Sequence, residues 1–331
     1  MATYDRNTEG LELVHKFADQ VKGRTFLLTG PSPGGIGAET VTSLATESPA
    51  LLILVGRSPE KAQTVIDAIK KANPGVKTKF VQANFASLKS VRKAAQAILD
   101  DPEITKIDVV INNAAVMATP FELTEDKLEL QFQSNHLGHF VLTNKIMPKI
   151  IAAGPGARLV NLSSLAHKLT GVRFEDPNFA QPGSYGEFTS YGQSKSANLL
   201  YTVGLNKRLS SRGIRAFAVH PGSIQTNIHA HTRQMDGARL ASLMDAAIQK
   251  TTGMTTAEFR AAEPYKTLQQ GCGTTLRAAL DPDLVKEEGV YLQNTNLTTD
   301  PNEVKDWATD PELAEKLWKL SEELVGEKFD I

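Results

Sequence analysis

The chain has 331 residues with 41% hydrophobic and 22% charged residues, enough to bury a large core as one α/β domain, which is the default reading, or as two smaller ones. Its 36 Lys and Arg nearly balance 37 Asp and Glu, which argues against a nucleic-acid partner, and the single cysteine, Cys272, excludes an intramolecular disulfide framework and a cysteine-rich metal site. We find neither a secretory signal nor an apolar run long enough to span a bilayer, so we expect a cytoplasmic protein without a membrane span.

Short β-branched or apolar runs alternate with helical patterns along the first two thirds of the chain. One such pattern predicts a helix over 87–99 with Ser87 as its N-cap. The alternation predicts a doubly wound parallel sheet of the Rossmann type, with the ligand beyond the carboxyl ends of its strands. The predicted strands cover residues 25–29, 51–55, 79–82, 108–111, 158–162 and 216–219.

We expect a single domain over residues 23–331. Two segments do not follow its alternation of strands and helices. Residues 1–22 are predicted to be a helical extension docked on the body, with Leu11, Val14, Phe17 and Val21 at helical spacing. Residues from about 227 to 263 are predicted to be a mobile lid over the substrate, and the alternative is a helix packed permanently on the body. The lid helix, about 237–250, takes its apolar arc from Met235, Leu240, Leu243, Met244, Ala246, Ala247 and Ile248.

A glycine cluster from Gly30 to Gly37 follows the first predicted strand and precedes a helical pattern. Glycines let the backbone approach phosphate oxygens, and the start of the helix presents unpaired N–H groups. A tight turn alone would also require glycine, but no Lys-Ser or Lys-Thr follows, which disfavours a nucleotide-hydrolysing loop. We predict a pyrophosphate site with contacts from Gly30, Ser32, Gly35, Ile36 and Gly37.

The second predicted strand ends in Val55-Gly56-Arg57. An NAD site would usually place an acid there to hold the ribose hydroxyls. Here Gly56 leaves room, and Arg57 offers a planar cation suited to a 2′-phosphate; the less favoured alternative is a solvated surface arginine. This pattern predicts NADP(H) as the cofactor.

The catalytic pattern comes later in the chain, as Tyr191-Gly192-Gln193-Ser194-Lys195 with Ser163-Ser164 upstream and Asn112-Asn113-Ala114-Ala115 earlier. In this order the motifs resemble the short-chain dehydrogenase/reductase family, from about residue 22 to 291. The stretches 135–140, 163–167 and 220–222 resemble the branch of retinol dehydrogenases and WW-domain oxidoreductases, which often act on apolar substrates.

The chemistry requires a proton for the alkoxide that hydride transfer leaves. Tyr191 would supply it, and Lys195 on the same helical face would stabilise the phenolate and bond the nicotinamide ribose. Ser164 would polarise the carbonyl oxygen, and the resemblance implies that Asn135 holds a water leading protons to solvent. By resemblance, further cofactor contacts come from Asn84, Asn113, Ala114, Pro221, Gly222, Ile224 and Thr226.

Two departures from the family pattern stand out. The glycine loop has one residue too many, so either a residue is inserted before Gly35-Ile36-Gly37 or Ile36 replaces the last glycine, and we favour the insertion. Asn84 stands where the family commonly has an Asp near the adenine, and its carbonyl can accept the same hydrogen bond.

Two other patterns give weaker evidence of function. His136 and His139 share a helical face, but without a third ligand we expect no metal. Wide apolar arcs over 126–150 and 191–209 indicate either burial in the sheet layer or the helix pairing of a family-like homodimer, and we expect the homodimer.

Taken together, the patterns predict an NADP(H)-dependent oxidoreductase acting on a medium-sized apolar ketone, aldehyde or alcohol, with reduction preferred. The alternatives are a catalytically silent dinucleotide-sensing protein and a lyase or epimerase that uses the same Tyr-Lys site.

Overall fold

One eight-stranded sheet runs through the computed structural model, which describes residues 4–331. The strand order is β3-β2-β1-β4-β5-β6-β7-β8, and all neighbours pair in parallel except β7 and β8. The strands are β1 Thr25–Thr29, β2 Leu51–Gly56, β3 Lys77–Gln82, β4 Val109–Asn112, β5 Arg158–Leu162, β6 Arg215–His220, β7 Tyr291–Gln293 and β8 Asn296–Thr298.

Helices cover both faces of the sheet. One face packs on α4, α6, α8 and α13, and the other packs on α1, α2, α3 and α11. The helices are α1 Gly10–Lys16, α2 Ile36–Ala45, α3 Pro59–Ala72, α4 Leu88–Asp100, α5 Leu130–Phe132, α6 Gly138–Lys145, α7 Met147–Ile151, α8 Glu187–Leu209, α9 Gly237–Thr252, α10 Thr256–Ala262, α11 Leu268–Leu280, α12 Asp306–Thr309 and α13 Pro311–Val325.

The predicted doubly wound Rossmann sheet is confirmed, and the predicted strands agree with β1 to β6 within two residues. Ser87 caps α4 as expected, accepting a hydrogen bond from Ser90 N. Strand order reverses between β1 and β4, so their carboxyl ends open the crevice where such folds bind ligands.

The described part of the N-terminal extension packs α1 against α11 and α2. Leu13 and Val14 are fully buried, and so is Val21 beyond the helix, whereas the predicted contact residues Leu11 and Phe17 are only half-buried. The buried face of α1 is therefore centred on Leu13 and Val14, and not on the predicted line from Leu11 through Val14 to Phe17. Cys272 of α11 is buried in this layer, as expected of a small hydrophobe.

The predicted lid contains α9 and α10. Asp236 caps α9, and Gly253 in the left-handed conformation ends it. Within the apolar arc, Ile248 is buried, while Met235, Leu240, Leu243, Met244 and Ala247 are half-buried. We call these buried and half-buried residues the inward stripe of α9. Ala246 is exposed and, contrary to the prediction, lies outside this stripe.

The C-terminal helix α13 covers the helices assigned to a dimer contact. Trp318 contacts the ring of Phe140 on α6 and that of Tyr201 on α8, at centroid distances of 5.1 and 5.7 Å. The guanidinium of Arg208 lies 3.8 Å from the Trp318 ring and pairs with Glu315. The wide apolar arcs are thus buried within the chain, and pairing with a second copy through them would require α13 to leave.

Across residues 4–331, no helix has both the length and the apolar character needed to cross a membrane.

Candidate active site

Four side chains predicted to be catalytic lie on segments at the carboxyl edge of the sheet. Tyr191 and Lys195 are one turn apart in the first half of α8, and Ser164 follows β5 as the N-cap of a short 3-10 helix. Asn135 lies in a π-helical turn between α5 and α6. π-helical turns of this kind are frequent at functional sites, because they turn a side chain and free a backbone group.

Tyr191 and Lys195 are both buried, with 6% and 2% of their surface exposed. Lys195 Nζ lies 5.3 Å from the centroid of the Tyr191 ring and donates to Leu162 O at 3.0 Å. Burial raises the pKa of Tyr191 to about 12, and a hydrogen bond with Ser164 opposes that rise. Burial lowers the pKa of Lys195 to about 7. Without a ligand, burial therefore keeps the proton on Tyr191 and makes Lys195 easier to deprotonate.

The structure separates the two adjacent serines. Ser163 is buried and its hydroxyl donates to Lys195 O at 2.9 Å, which fixes β5 against α8. Ser164 is the serine whose hydroxyl lies close enough to the Tyr191 phenol to oppose the rise in its pKa, and that hydroxyl also accepts from Ala166 N at 3.2 Å. Of the two, Ser164 is therefore the one whose hydroxyl lies near the Tyr191 phenol.

Asn135 is held at every polar atom of its side chain. Its Oδ1 accepts from Val116 N at 2.8 Å, and its Nδ2 donates to Val116 O and to Ser194 Oγ, each at 2.9 Å. Ser194 lies on α8 between Tyr191 and Lys195. Asn135 therefore ties the segment after β4 to the helix that carries the Tyr-Lys pair.

His139 connects this segment to β1, a role that the sequence did not reveal. Its Nδ1 bonds Asn135 O at 3.0 Å, and its Nε2 bonds Thr29 Oγ1 at 2.8 Å. His136 bonds Ser321 of α13 instead, at 2.8 Å. Burial lowers the pKa of both histidines to about 3, so they are neutral. Among residues 4–331, no three His, Cys, Asp or Glu residues cluster as metal ligands would.

The glycine loop forms a cradle that side chains would fill. A Cβ on Gly30, whose φ is +74°, would lie 2.8 Å from Ala114 Cα, and one on Gly37 would lie 2.6 Å from Asn113 Nδ2. Gly35 is the N-cap of α2, so the helix begins at Ile36 with free N–H groups facing the loop. We therefore assign Gly30 to the tight turn, Gly35 to the close approach of a phosphate to the backbone, and Gly37 to the packing of α2. This assignment favours an inserted residue before Gly35. The cradle fits a dinucleotide pyrophosphate.

Asn113 and Ala114 are joined to this loop through Thr29. Both backbone N–H groups donate to Thr29 Oγ1 at 2.9 Å, and Asn113 Nδ2 donates to Thr29 O at 2.8 Å. The predicted contacts after β1 and β4 are thus brought together.

Arg57 and Asn84 line one cleft of about 580 Å³ beside β3 and α4. Arg57 is exposed, and its carbonyl accepts from Gln82 Nε2 at 3.1 Å. Asn84 Oδ1 accepts from Ala86 N at 3.2 Å, which leaves one lone pair for a ligand. The cleft also contains Lys93, a cation that sequence patterns did not single out because helix surfaces commonly carry lysine.

Pro221, Gly222, Ile224 and Thr226 form the loop after β6. Ile224 is buried against Gly271 and pairs with Lys266, and Thr226 caps the next short helix. Asn227 Nδ2 then donates to Pro33 O of the glycine loop at 3.1 Å. The predicted lid therefore starts by bridging the two loops that flank the crevice.

Known proteins are similar to this chain over most of its length. The family profile described as short chain dehydrogenase matches residues 24–177. The chain is 35% identical over 313 residues to short-chain dehydrogenase TIC 32 A, chloroplastic, of Brassica napus, covering 92% of this chain and 89% of that one. It is 34% identical over 306 residues to retinol dehydrogenase 13 of Homo sapiens, covering 92% and 86%.

Among solved structures, an uncharacterized protein from Mycobacterium paratuberculosis is similar with a TM-score of 0.66 and 28% identity, covering 94% of this chain and 96% of that one. The relatives span nearly the whole chain, including the segments that carry Asn135, Ser164, Tyr191 and Lys195. The chain therefore belongs to the short-chain dehydrogenase/reductase family, in the branch of the retinol dehydrogenases.

Proposed function

We propose that the chain is an NADP(H)-dependent oxidoreductase that interconverts a medium-sized apolar carbonyl compound and its alcohol, with reduction preferred. The observation that carries the proposal is the bonded site at the carboxyl edge of the sheet. Ser164 is close enough to the Tyr191 phenol to oppose the rise in its pKa, Lys195 lies one turn from that tyrosine, and Asn135 is tied to Ser194 between them. A binding protein without chemistry would not need this set.

In this proposal, Ser164 and the Tyr191 hydroxyl bond the substrate oxygen, and Tyr191 gives its proton to that oxygen. When bound, the dinucleotide supplies or accepts the hydride. Lys195, when protonated, would offset charge on the Tyr191 oxygen and would bond the nicotinamide ribose. A water held at Asn135 would lead protons between Lys195 and solvent. Because the pKa of Tyr191 is raised to about 12, the phenol holds its proton at neutral pH, which suits a proton donor and supports reduction.

The glycine cradle would hold the pyrophosphate through Gly30, Ser32, Gly35, Ile36 and Gly37. Asn113, Ala114 and Asn84 would line the adenosine half, and Pro221, Gly222, Ile224 and Thr226 the nicotinamide half. Arg57 supports NADP(H) over NAD(H), because it is an exposed cation at the end of β2 where an NAD site would carry an acid. Lys93 in the same cleft adds positive charge for a 2′-phosphate.

The inward stripe of α9 supports an apolar substrate. Leu240, Leu243, Met244 and Ala247 are half-buried, and methionine and leucine offer adaptable contacts. We propose that residues 227–263 form a lid that closes over the substrate. Its latch is the ion pair between Arg239 of α9 and Glu187 at the start of α8, four residues before Tyr191.

The homodimer and the cytoplasmic location remain predictions. Because α13 covers α6 and α8, a dimer would need another surface, such as the open edge of β3. One relative is named as chloroplastic, so the compartment is best determined by fractionation.

The direct experiment follows NADPH consumption across a panel of aldehydes, ketones and quinones, retinaldehyde included because relatives are named retinol dehydrogenases. A parallel assay follows NADP-driven oxidation of the matching alcohols. Turnover of a carbonyl with NADPH supports the proposal. Tight NADPH binding without turnover of any compound would instead indicate the dinucleotide-sensing alternative, and substrate conversion without net NADPH change would indicate a lyase or epimerase.

A further inference from the structure

Lys266 is a buried cation outside the proposed catalytic set. It lies between α10 and α11 with 5% of its surface exposed. Its Nζ is buried and has no hydrogen-bond partner among residues 4–331. An ammonium removed from water without a partner is costly, so such a group usually has a ligand to meet.

The position of Lys266 is fixed by the loop after β6. Its N–H donates to Ser223 O at 2.9 Å, and its backbone pairs with that of Ile224. Its side chain runs across Gly222, where a Cβ would lie 2.7 Å from Lys266 Cδ and 2.8 Å from Cε. Gly222 therefore leaves the channel that the lysine stem occupies, and the ammonium is held beside the loop rather than free to swing into solvent.

The nearby carboxylates are engaged elsewhere. Glu263 pairs with Arg6 at 3.4 Å, and Asp5 Oδ1 accepts from Asn7 N at 2.8 Å. Burial first and then the charge of Arg6 lower the pKa of Lys266 to about 8, while Glu263 and Asp5 only partly oppose that shift. Local acids thus do not neutralise the ammonium.

A second cation near the same loop is also incompletely paired. Arg260 Nη1 is buried without a hydrogen-bond partner in the described chain, and its guanidinium lies 4.2 Å from the Tyr265 ring. Burial lowers the pKa of His229, and the charges of Arg233 and then Arg260 lower it further, while its bond to Ile224 O at 3.2 Å opposes the shift. Positive potential is therefore concentrated around residues 222–229, which matches a negatively charged ligand.

We infer that Lys266 Nζ binds an anionic oxygen group, a phosphate or a carboxylate, of a ligand that lies on the loop 221–226. This deepens the proposed function, because the proposal puts the nicotinamide end of the cofactor on that loop. Two sources share this chemistry: the pyrophosphate of the dinucleotide and an anionic group on the carbonyl substrate. If the anion belongs to the substrate, the substrate has a charged end in addition to the apolar part that the inward stripe of α9 would contact.

The test replaces the charge with an apolar chain of similar length, Lys266→Met, and uses Lys319→Met on the exposed face of α13 as the matched control. Each protein is titrated with inorganic phosphate, with pyrophosphate and with NADPH. Each is then assayed with pairs of carbonyl substrates that differ only in a carboxylate. Lys266→Gln serves as a second variant that keeps polarity if the methionine protein folds poorly.

Losing a hydrogen bond to a charged group should weaken anion binding at least about tenfold in Lys266→Met and not in Lys319→Met. Weaker NADPH binding together with weaker pyrophosphate binding identifies the cofactor as the source. Unchanged NADPH binding with a raised KM for only the carboxylate substrates identifies the substrate. The thermal midpoint of Lys266→Met should be equal to or above that of the parent, because an unpaired buried charge is removed.

The inference is overturned if Lys266→Met lowers the thermal midpoint while phosphate, pyrophosphate and NADPH binding and both KM values stay at parent levels. That result would make Lys266 a packing residue. The titrations require no turnover, so they decide the inference even if the parent protein reduces no carbonyl compound and the proposed function fails.

Discussion

The tautomer of His139 follows from its two bonds. Asn135 O can only accept, so Nδ1 carries the proton, and Nε2 must accept from the Thr29 hydroxyl. That leaves the lone pairs of Thr29 Oγ1 for the N–H groups of Asn113 and Ala114. The neutral imidazole of His139 therefore orients two parts of the site. It fixes the backbone of Asn135 directly, and through Thr29 it fixes Asn113 and Ala114, which would line the adenosine.

At the same scale, Arg57→Asp tests cofactor choice. The acid would repel a 2′-phosphate and could bond free ribose hydroxyls, so NADPH affinity should fall by at least about tenfold while NADH affinity holds or rises. Fluorescence titration of both cofactors measures this, with Lys61→Asp on the exposed face of α3 as a charge-matched control. Equal losses for both cofactors would contradict the role given to Arg57.

At the scale of elements, the sequence predicted β1 to β6 well because buried parallel strands are continuous apolar runs. It also identified α9, whose cap Asp236 and terminal Gly253 are local signals. β7 and β8 were missed because each has three residues, too few for a periodic pattern, and because their hairpin turns through Asn294 and Thr295 at positive φ.

Other errors share one cause, which is that a sequence pattern shows an apolar face without its partner. The arcs on α6 and α8 were assigned to a second copy, whereas Trp318 of α13 fills that place. The pairing of Tyr191 with Lys195 one turn apart was predictable because their spacing along α8 is local. The bonds of His139 to Thr29 and Asn135 were not, since they depend on how β1 and α6 meet in the fold.

The lid is tested by Arg239→Ala, which removes the ion pair with Glu187. If closure over the substrate matters, the KM for large apolar carbonyl compounds should rise several-fold while NADPH affinity is unchanged. In the parent protein, protease cleavage within 231–263 should slow when cofactor and substrate are added together. Arg212→Ala, at an exposed position after α8, is the control.

Equal protease protection with and without ligands, combined with an effect of Arg239→Ala on stability alone, would contradict the lid. Residues 237–252 would then be a helix packed permanently on the body, which the burial of Ile248 also allows.

At the scale of the whole molecule, the strand reversal at β1 and β4 decides where function lies. Loops after β1, β2, β4, β5 and β6 meet at one edge, so residues from 30 to 227 contribute to one crevice. Two elements outside the core reinforce that edge. Arg6 of the N-terminal extension bonds Pro264 O at 2.8 Å, and Ser321 of α13 bonds His136.

The central claim, that Tyr191 transfers the proton in an NADPH-dependent reduction, is tested most directly by Tyr191→Phe. The ring still fills its place, so NADPH affinity and the thermal midpoint should stay near parent values while turnover of the best carbonyl substrate falls by about 10²-fold or more. The measurement is NADPH consumption at saturating substrate in parent and variant protein, with cofactor binding titrated in parallel. Substantial residual turnover in Tyr191→Phe would contradict the account and place the proton donor elsewhere.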